Sequence, residues 1–536
     1  MASIDTNPDT NPQTKANGNV ITKYVPILSW GRRYQREWLT GDLLAGLIVA
    51  IMLVPQGMAY ALLAGLPPQV GLYASILPLL IYGLLGTSRV LAVGPVAIVS
   101  IMVAGSVGAM AEPGTAVYLQ LALTLALLVG FIQAVMGLFR LGFVVNFLSH
   151  PVLAGFTSAA AIVIGFSQVK NLLGISMPRL NFINTVSYTS THLTETNMTT
   201  LVIGLSGIFI LVYFKYMLGS QLKRLGLPKS VRIPITKSGP LVIVVLGTLA
   251  VLLLGLNQSV SVKVVGEVPS GLPHLTLPIF DLSIWQAFLP TALAISFVGF
   301  MESFSVAKSL ASKKRQKVES NQELLGLGMA NLGAAFTGGY PVTGGFSRSV
   351  VNFEAGANTG LASIITAVLM ALAVIFLTPL FYYLPQAILA AIILVAVVGL
   401  IDIKTFRHVW SYNKADGISM IITFLAVLIV GIETGILVGI AATILLFVWR
   451  TSRPHVAVVG RMGNSQVYRN VLRHQVETCS HAVAIRVDES LYFANTKYLE
   501  DTILEQIADH PEVDHLVLIA TAVNFIDASA LETLET

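Results

Sequence analysis

"GGYPVTGGFSRSVVN", Gly338 to Asn352, decides how the rest of the chain is read. It is crowded with glycine, contains Pro341, and carries a bare Arg348. Around it the chain is close to hydrocarbon. Of 536 residues, 55% are hydrophobic and 11% charged, where an average soluble protein has about 25% charged residues. Apolar runs near twenty residues recur at 118–139, 199–214, 359–380 and 417–449, and runs of that length read as membrane-spanning helices. About twelve to fourteen such segments fit, several short or interrupted. The run 417–449 is long enough for two spans, with Gly431, Glu433 and Gly435 expected to mark the turn.

The same grammar occurs once more, in "RVLAVGPVAIVSIMVAG" at 89–105. Each place has a short extended segment, then Gly-Pro or Gly-Gly, then a helix-forming run. Extended backbone at bilayer depth leaves amides unpaired, at several kcal/mol each, so it survives only where protein or a wet cavity satisfies it. Two such interruptions, one in each half, point to an inverted repeat around a midplane site. Pro95 suits a first helical position, because its missing N–H is unpaired there in any case. Gly344 and Gly345 let the backbone approach a ligand. Each half-helix is expected to aim free amides and a positive dipole end at one pocket, which makes an anion site. An Arg facing lipid is costly, so Arg348 should face that pocket. The alternative is that Arg348 pairs with an acid and only stabilises the bundle.

Charge placement sets the topology. Lys215 to Lys237 holds six basic residues and no acid, Lys308 to Lys317 holds four Lys and one Arg, and Lys23, Arg32, Arg33 and Arg36 precede the first apolar run. Basic loops stay in the cytoplasm. The connectors 109–116, 171–198 and 257–286 are poor in Lys and Arg, which fits both termini inside, in a multi-pass protein of the cell membrane. Nucleic acid is not expected as a partner in so apolar a chain. Residues 1–24 read as a disordered tail. One cysteine, Cys479, excludes an intramolecular disulfide. Asn197-Met198-Thr199 fits a glycosylation sequon in an outer loop.

After Arg450 the composition changes. "AVAIRV" and "HLVLIA" read as strands and 495–508 as a helix capped by Asn495, so 454–536 is expected to form a small cytoplasmic α/β domain, cut short at its end. Neither a nucleotide loop nor a metal-ligand spacing stands out, and no enzyme or cofactor is expected.

These motifs resemble the SulP family of sulfate permeases and related anion transporters. The resemblance is carried by "VPQGMAYALLAGLPPQVGLYASILPLLIYGLLGTSRVLAVGPVAIVS" at 54–100, "VGFMESFSVAKSLA" at 298–311, the stretch 321–352 and "DIKTFRHVW" at 402–410. The tail resembles a STAS domain, most clearly in "NFIDASALE" at 524–532. The resemblance implies an all-α polytopic fold over 25–453, with fourteen helices in two inverted repeats of seven. It implies a core domain that carries the substrate past a gate domain, usually in a homodimer. It implies that helices three and ten begin near Val93–Ala97 and Gly344–Arg348. The anion is then held by Pro95, Val96, Ala97, Gly345, Phe346, Ser347 and Arg348, with Gln56 and Tyr60 lining the cavity. Helix packing is the other role open to Gln56 and Tyr60. Ser529 falls where bacterial STAS proteins are phosphorylated, a regulatory site for a cytoplasmic partner. The alternative is a helix cap made by Asp527 or Ser529.

Glu302 is the other intramembrane charge. A carboxylate out of water favours its neutral form, so Glu302 is expected to take a proton. The resemblance makes Glu here a mark of proton-coupled members. Sodium-coupled bicarbonate members tend to have Asp with hydroxyl residues one turn on, where this chain has Val306. An ion pair between Glu302 and Arg348 is the structural alternative. The expected function is proton-coupled sulfate symport. Sodium-coupled bicarbonate transport, dicarboxylate or chloride exchange, an anion channel, and a membrane-tethered signalling protein remain alternatives.

Overall fold

A computed structural model describes residues 24–143, 149–178 and 180–536. The tail expected to be disordered lies, except for Tyr24, outside these residues. The chain divides into two compact units, residues 1–439 and 440–536.

The first unit is helical. In chain order its main helices are α1 (Arg36–Leu63), α2 (Pro68–Leu85), α3 (Ala97–Gly108), α4 (Ala116–Leu138), α5 (His150–Leu173), α6 (Met198–Arg224), α7 (Gly239–Leu254), α8 (Leu282–Lys313), α9 (Ser320–Phe336), α10 (Phe346–Glu354), α11 (Leu361–Phe376), α12 (Gln386–Val398), α13 (Lys414–Ile429) and α14 (Ile432–Thr451), the last crossing the division between units. Among the described residues, eight helices are long and apolar enough to cross a membrane, or up to nine if a bent pair at 230–254 counts as one span. The number expected from the sequence is reached only if shorter helices such as α3, α10 and α11 count as spans or half-spans. The turn in the 417–449 run lies at Val430 and Gly431, where Gly431 takes φ +115°. Glu433 and Gly435, expected in that turn, are already helical in α14.

The packing separates these helices into two sets. α4 packs on α8 and α9, and α11 on α1 and α2. In the other set, α5 packs on α12 and α13, and α12 on α5 and α6. Each pairing has its counterpart seven helices along, which is what an inverted repeat produces. α1 touches α7 and α12, and α3 touches α5, so the sets meet along a seam. Lipid offers no hydrophobic drive between helices, so small residues let backbones close in. A Cβ on Gly328 of α9 would sit 2.5 Å from the Ala134 amide of α4.

The second unit contains a four-stranded sheet in the order β4-β3-β5-β6, with β3 Val456–Arg461, β4 Tyr468–Asn470, β5 Ala482–Val487 and β6 His515–Ile519. β5 and β6 are parallel, joined through α15 (Thr496–Asp509). Val487, Leu491, Leu499 and Ala530 form its core. Asn495 stands at the N-cap position of α15 without capping it. Its side chain closes the preceding loop instead, accepting from the Tyr492 amide and donating to the Ser490 carbonyl. Asp527 caps α16 (Ala528–Glu535), accepting from the Ala530 amide at 2.8 Å, and Ser529 is exposed beside it.

Candidate functional site

Strands β1 (Val93–Gly94) and β2 (Thr343–Gly344), some 250 residues apart in sequence, pair antiparallel, with Val93 opposite Gly344 and Gly94 opposite Thr343. Each runs into a half-helix, β1 into α3 and β2 into α10. The extended backbone at this depth is satisfied by protein. Asn331 of α9 bonds both the amide and the carbonyl of Val342. Ser303 of α8 accepts from the Gly344 amide, and Ser349 accepts from the Ala92 amide. Ser100 donates to the Val96 carbonyl, so the hydroxyl of buried Tyr340, 2.9 Å away, is the donor to Ser100.

The amino ends of α3 and α10 carry no side-chain cap. α3 begins at Ala97, with extended Val96 before it, so Pro95 is not the first helical residue as expected. The Pro95 carbonyl serves instead as the acceptor for Arg348 Nη1, at 2.8 Å. Both helix ends open on a cavity of about 280 Å³, lined by Val96, Ala97, Gly345, Phe346, Ser347 and Arg348, and also by Gln56, Tyr60 and Glu302. All the residues singled out at this site from the sequence therefore border one space or, for Pro95, hold its arginine.

Arg348 is 2% exposed, and its Nε and Nη2 have no hydrogen-bond partner. Glu302 Oε2 is likewise buried and unpartnered. Among the described residues no ion pair joins the two, so the pairing weighed as an alternative is not formed in this conformation. A guanidinium with two idle donor positions, beside two uncapped helix ends, has the donors that can receive an anion's oxygens. Gly345 gives it room: a Cβ there would lie 2.7 Å from Arg348 Nη2.

Lys215 and Lys237 line the same cavity. Lys215 donates to the Val395 carbonyl at 3.3 Å, and Lys237 lies 3.5 Å from Glu354. In the sequence they stand out only as basic residues at the ends of apolar runs, which marks topology and not a cavity wall. The Asn197 sequon amide donates to the Val260 carbonyl at 2.7 Å and its oxygen caps α6, so its side chain is already committed. Among the described residues no group of three or more His, Cys, Asp or Glu is placed to hold a metal.

The sequence and the fold both have known relatives. Residues 39–423 match the sulfate permease family and residues 473–536 the STAS domain. The chain is 39% identical over 528 residues to sulfate transporter 4.1, chloroplastic, of Arabidopsis thaliana, covering 96% of this chain and 75% of that one. Its fold is similar to murine Solute Carrier 26 family member A9, an anion transporter solved in the inward-facing state, with a TM-score of 0.89 and 26% identity over 99% of this chain and 88% of that one. It also resembles the transmembrane domain of the cyanobacterial bicarbonate transporter BicA in fold, with a TM-score of 0.63 and 23% identity over 77% of this chain and 98% of that one. The chain belongs to the sulfate permease family of multi-pass membrane transporters, and it carries a STAS domain.

Proposed function

We propose that this protein imports sulfate across a cell membrane together with protons, by moving the set α1–α4 and α8–α11 against the set α5–α7 and α12–α14. The observation that carries the reading is Arg348, with two unpartnered donor positions in a cavity shared with two uncapped helix ends and the unpartnered Glu302 Oε2. Sulfate is favoured over bicarbonate because the plant relative is named for it and because Val306 puts no hydroxyl one turn from Glu302. Lys215 and Lys237 come from the basic stretch assigned to the cytoplasm, so the cavity opens inward. The transmembrane unit spans 25–453 with fourteen helices in inverted repeats of seven, acts in a homodimer, and keeps both termini in the cytoplasm. The STAS domain, 454–536, meets a cytoplasmic protein, with Ser529 as its regulatory site.

Each negative charge moved inward against the membrane potential costs about 2.3 kcal/mol per 100 mV, so uptake needs a coupled cation. A proton on Glu302 removes a negative charge beside the anion, and the two then bind cooperatively by the same factor in either order. In proteoliposomes, an acid-outside gradient should drive accumulation of labelled sulfate. Glu302→Gln should keep sulfate exchange and lose that acceleration. Accumulation by Glu302→Gln under a proton gradient, or a wild-type response to sodium alone, would remove the proton assignment.

A further inference from the structure

Glu433 is a second intramembrane carboxylate, outside the anion cavity. It is the second residue of α14, and its Oε2 accepts from Thr291 Oγ1 of α8 at 2.8 Å. α14 packs with the second helix set: a Cβ on Gly435 or Gly439 would collide with Val427 or Thr423 of α13. Thr291 belongs to the first set and lies about three turns before Glu302 on the same helix. The bond therefore crosses the seam between the sets. Glu433 Oε1 is buried without a partner, and a Cβ on Gly105 of α3 would lie 3.4 Å from it. α3 is the half-helix whose other end opens on the anion cavity. Glu433 borders a separate cavity of about 580 Å³, also lined by Gly65, Met102, Pro113 and Asn171. Pro113 and Asn171 belong to connectors poor in Lys and Arg, which the charge placement assigns to the side opposite the Lys215–Lys237 stretch.

We propose that Glu433 is a proton-binding latch of the outer seam, distinct from the coupling site at Glu302. The inference rests on the reading that the two sets move. If they do, the Glu433–Thr291 bond must break when the outer face opens. Ionised Glu433 in the closed seam has one oxygen with a single donor and one with none, and breaking with water on those terms is costly. Opening the seam hydrates it. Ionised Glu433 therefore favours opening, and a proton from the outer side favours closure. Thr291 and Gly105 bring no charge. Lys170 of α5 is the basic residue among the described lining of that cavity. Glu433 borders the outer cavity and not the inner one, so its proton reports outside acidity and does not travel with the substrate.

The test uses the full chain in proteoliposomes, with Cys479→Ser and a single reporter, Met102→Cys, buried in the outer cavity. Labelling by an impermeant maleimide from outside is divided by that of Glu112→Cys on the exposed 109–116 connector, which cancels thiol chemistry and orientation. Normalised labelling should fall as the outside goes from about pH 7.5 to about pH 5.5, by at most about tenfold per unit, the limit for one proton. Glu433→Gln should be low throughout, with the dependence gone while labelling still responds to sulfate. Thr291→Val keeps the carboxylate and should keep the pH response while labelling more at the higher pH. A pH response unchanged in Glu433→Gln, its absence in the parent, or parental labelling at the higher pH in Thr291→Val overturns the latch. Labelling indifferent to sulfate in every background removes the moving-sets reading, and the latch with it.

Discussion

Replacing Gly345 with alanine separates the position of the guanidinium from the integrity of the fold. Gly345 has φ −89° and ψ 124°, a conformation alanine adopts without strain. The new Cβ would lie 2.7 Å from Arg348 Nη2 and 2.8 Å from Cζ, while ordinary contact begins near 3.4 Å. The fork must therefore retreat by roughly 0.7 Å to regain van der Waals contact. A retreat of that size draws Nη1 away from the Pro95 carbonyl, now at 2.8 Å. A hydrogen bond from a charged group is worth about 1.5–3 kcal/mol. Loosening it, and moving the two idle donor positions off the bound anion, should cost about 1–2 kcal/mol, a factor of about 5–30 in affinity. Calorimetric titration of sulfate into the purified variant measures the loss, and thermal unfolding of the same preparation checks the fold. An unchanged Kd in a stable Gly345→Ala protein would show that the position of the Arg348 fork is irrelevant to binding.

Arg348→Lys should recover only part of the affinity that Arg348→Ala loses, because an ammonium on a flexible stem cannot replace the planar fork; equal titration curves for Lys and Arg would show that charge alone suffices. Ending the chain after Arg453 should leave sulfate binding in purified protein, and a folded truncation that binds none would make the tail part of the site. In the tail, the Arg486 guanidinium, followed by His455, holds the Asp488 carboxyl below the usual carboxylate range. That contribution is present above the ordinary aspartate value of about 4 and is lost as pH falls through the depressed one. Protection factors at Ala482–Val487, corrected for the intrinsic slowing of exchange in acid, should therefore fall as pH drops, and fall less in Arg486→Met, which starts lower. Identical profiles for the two proteins would remove the pair from the account.

The half-helices were legible because an apolar chain leaves few places for glycine-rich extended backbone and a lone arginine. "AVGPVAIVS" and "VTGGFSRS" announced both halves of one site. Their pairing as β1 and β2 was not legible, since no local pattern encodes a ladder between residues so far apart. Nor was the start of α3: Pro95 is compatible with a first helical turn, but the extended Val96 delays the helix and turns the Pro95 carbonyl toward Arg348. Asn331, Ser303 and Tyr340 hold the segment that carries Thr343, yet each alone is a single polar residue in an apolar run, and only the packing of α3, α8 and α9 gives them partners. Lys215 and Lys237 stand out in the sequence only as basic flanks, while their place on the cavity wall depends on how α6, α7 and α12 meet.

The central claim is that the anion sits between the amino ends of α3 and α10 beside Arg348. Selenate has sulfate's shape and charge, and its selenium scatters X-rays anomalously, so a crystal soaked in it reports the position directly. The account predicts one strong anomalous peak between the amino ends of α3 and α10, placed so that the selenate oxygens reach Arg348 Nη2 and the first-turn amides at Ala97 and Ser347, and absent in Arg348→Ala crystals. A peak elsewhere with this cavity empty, or an undiminished peak in Arg348→Ala, would contradict it.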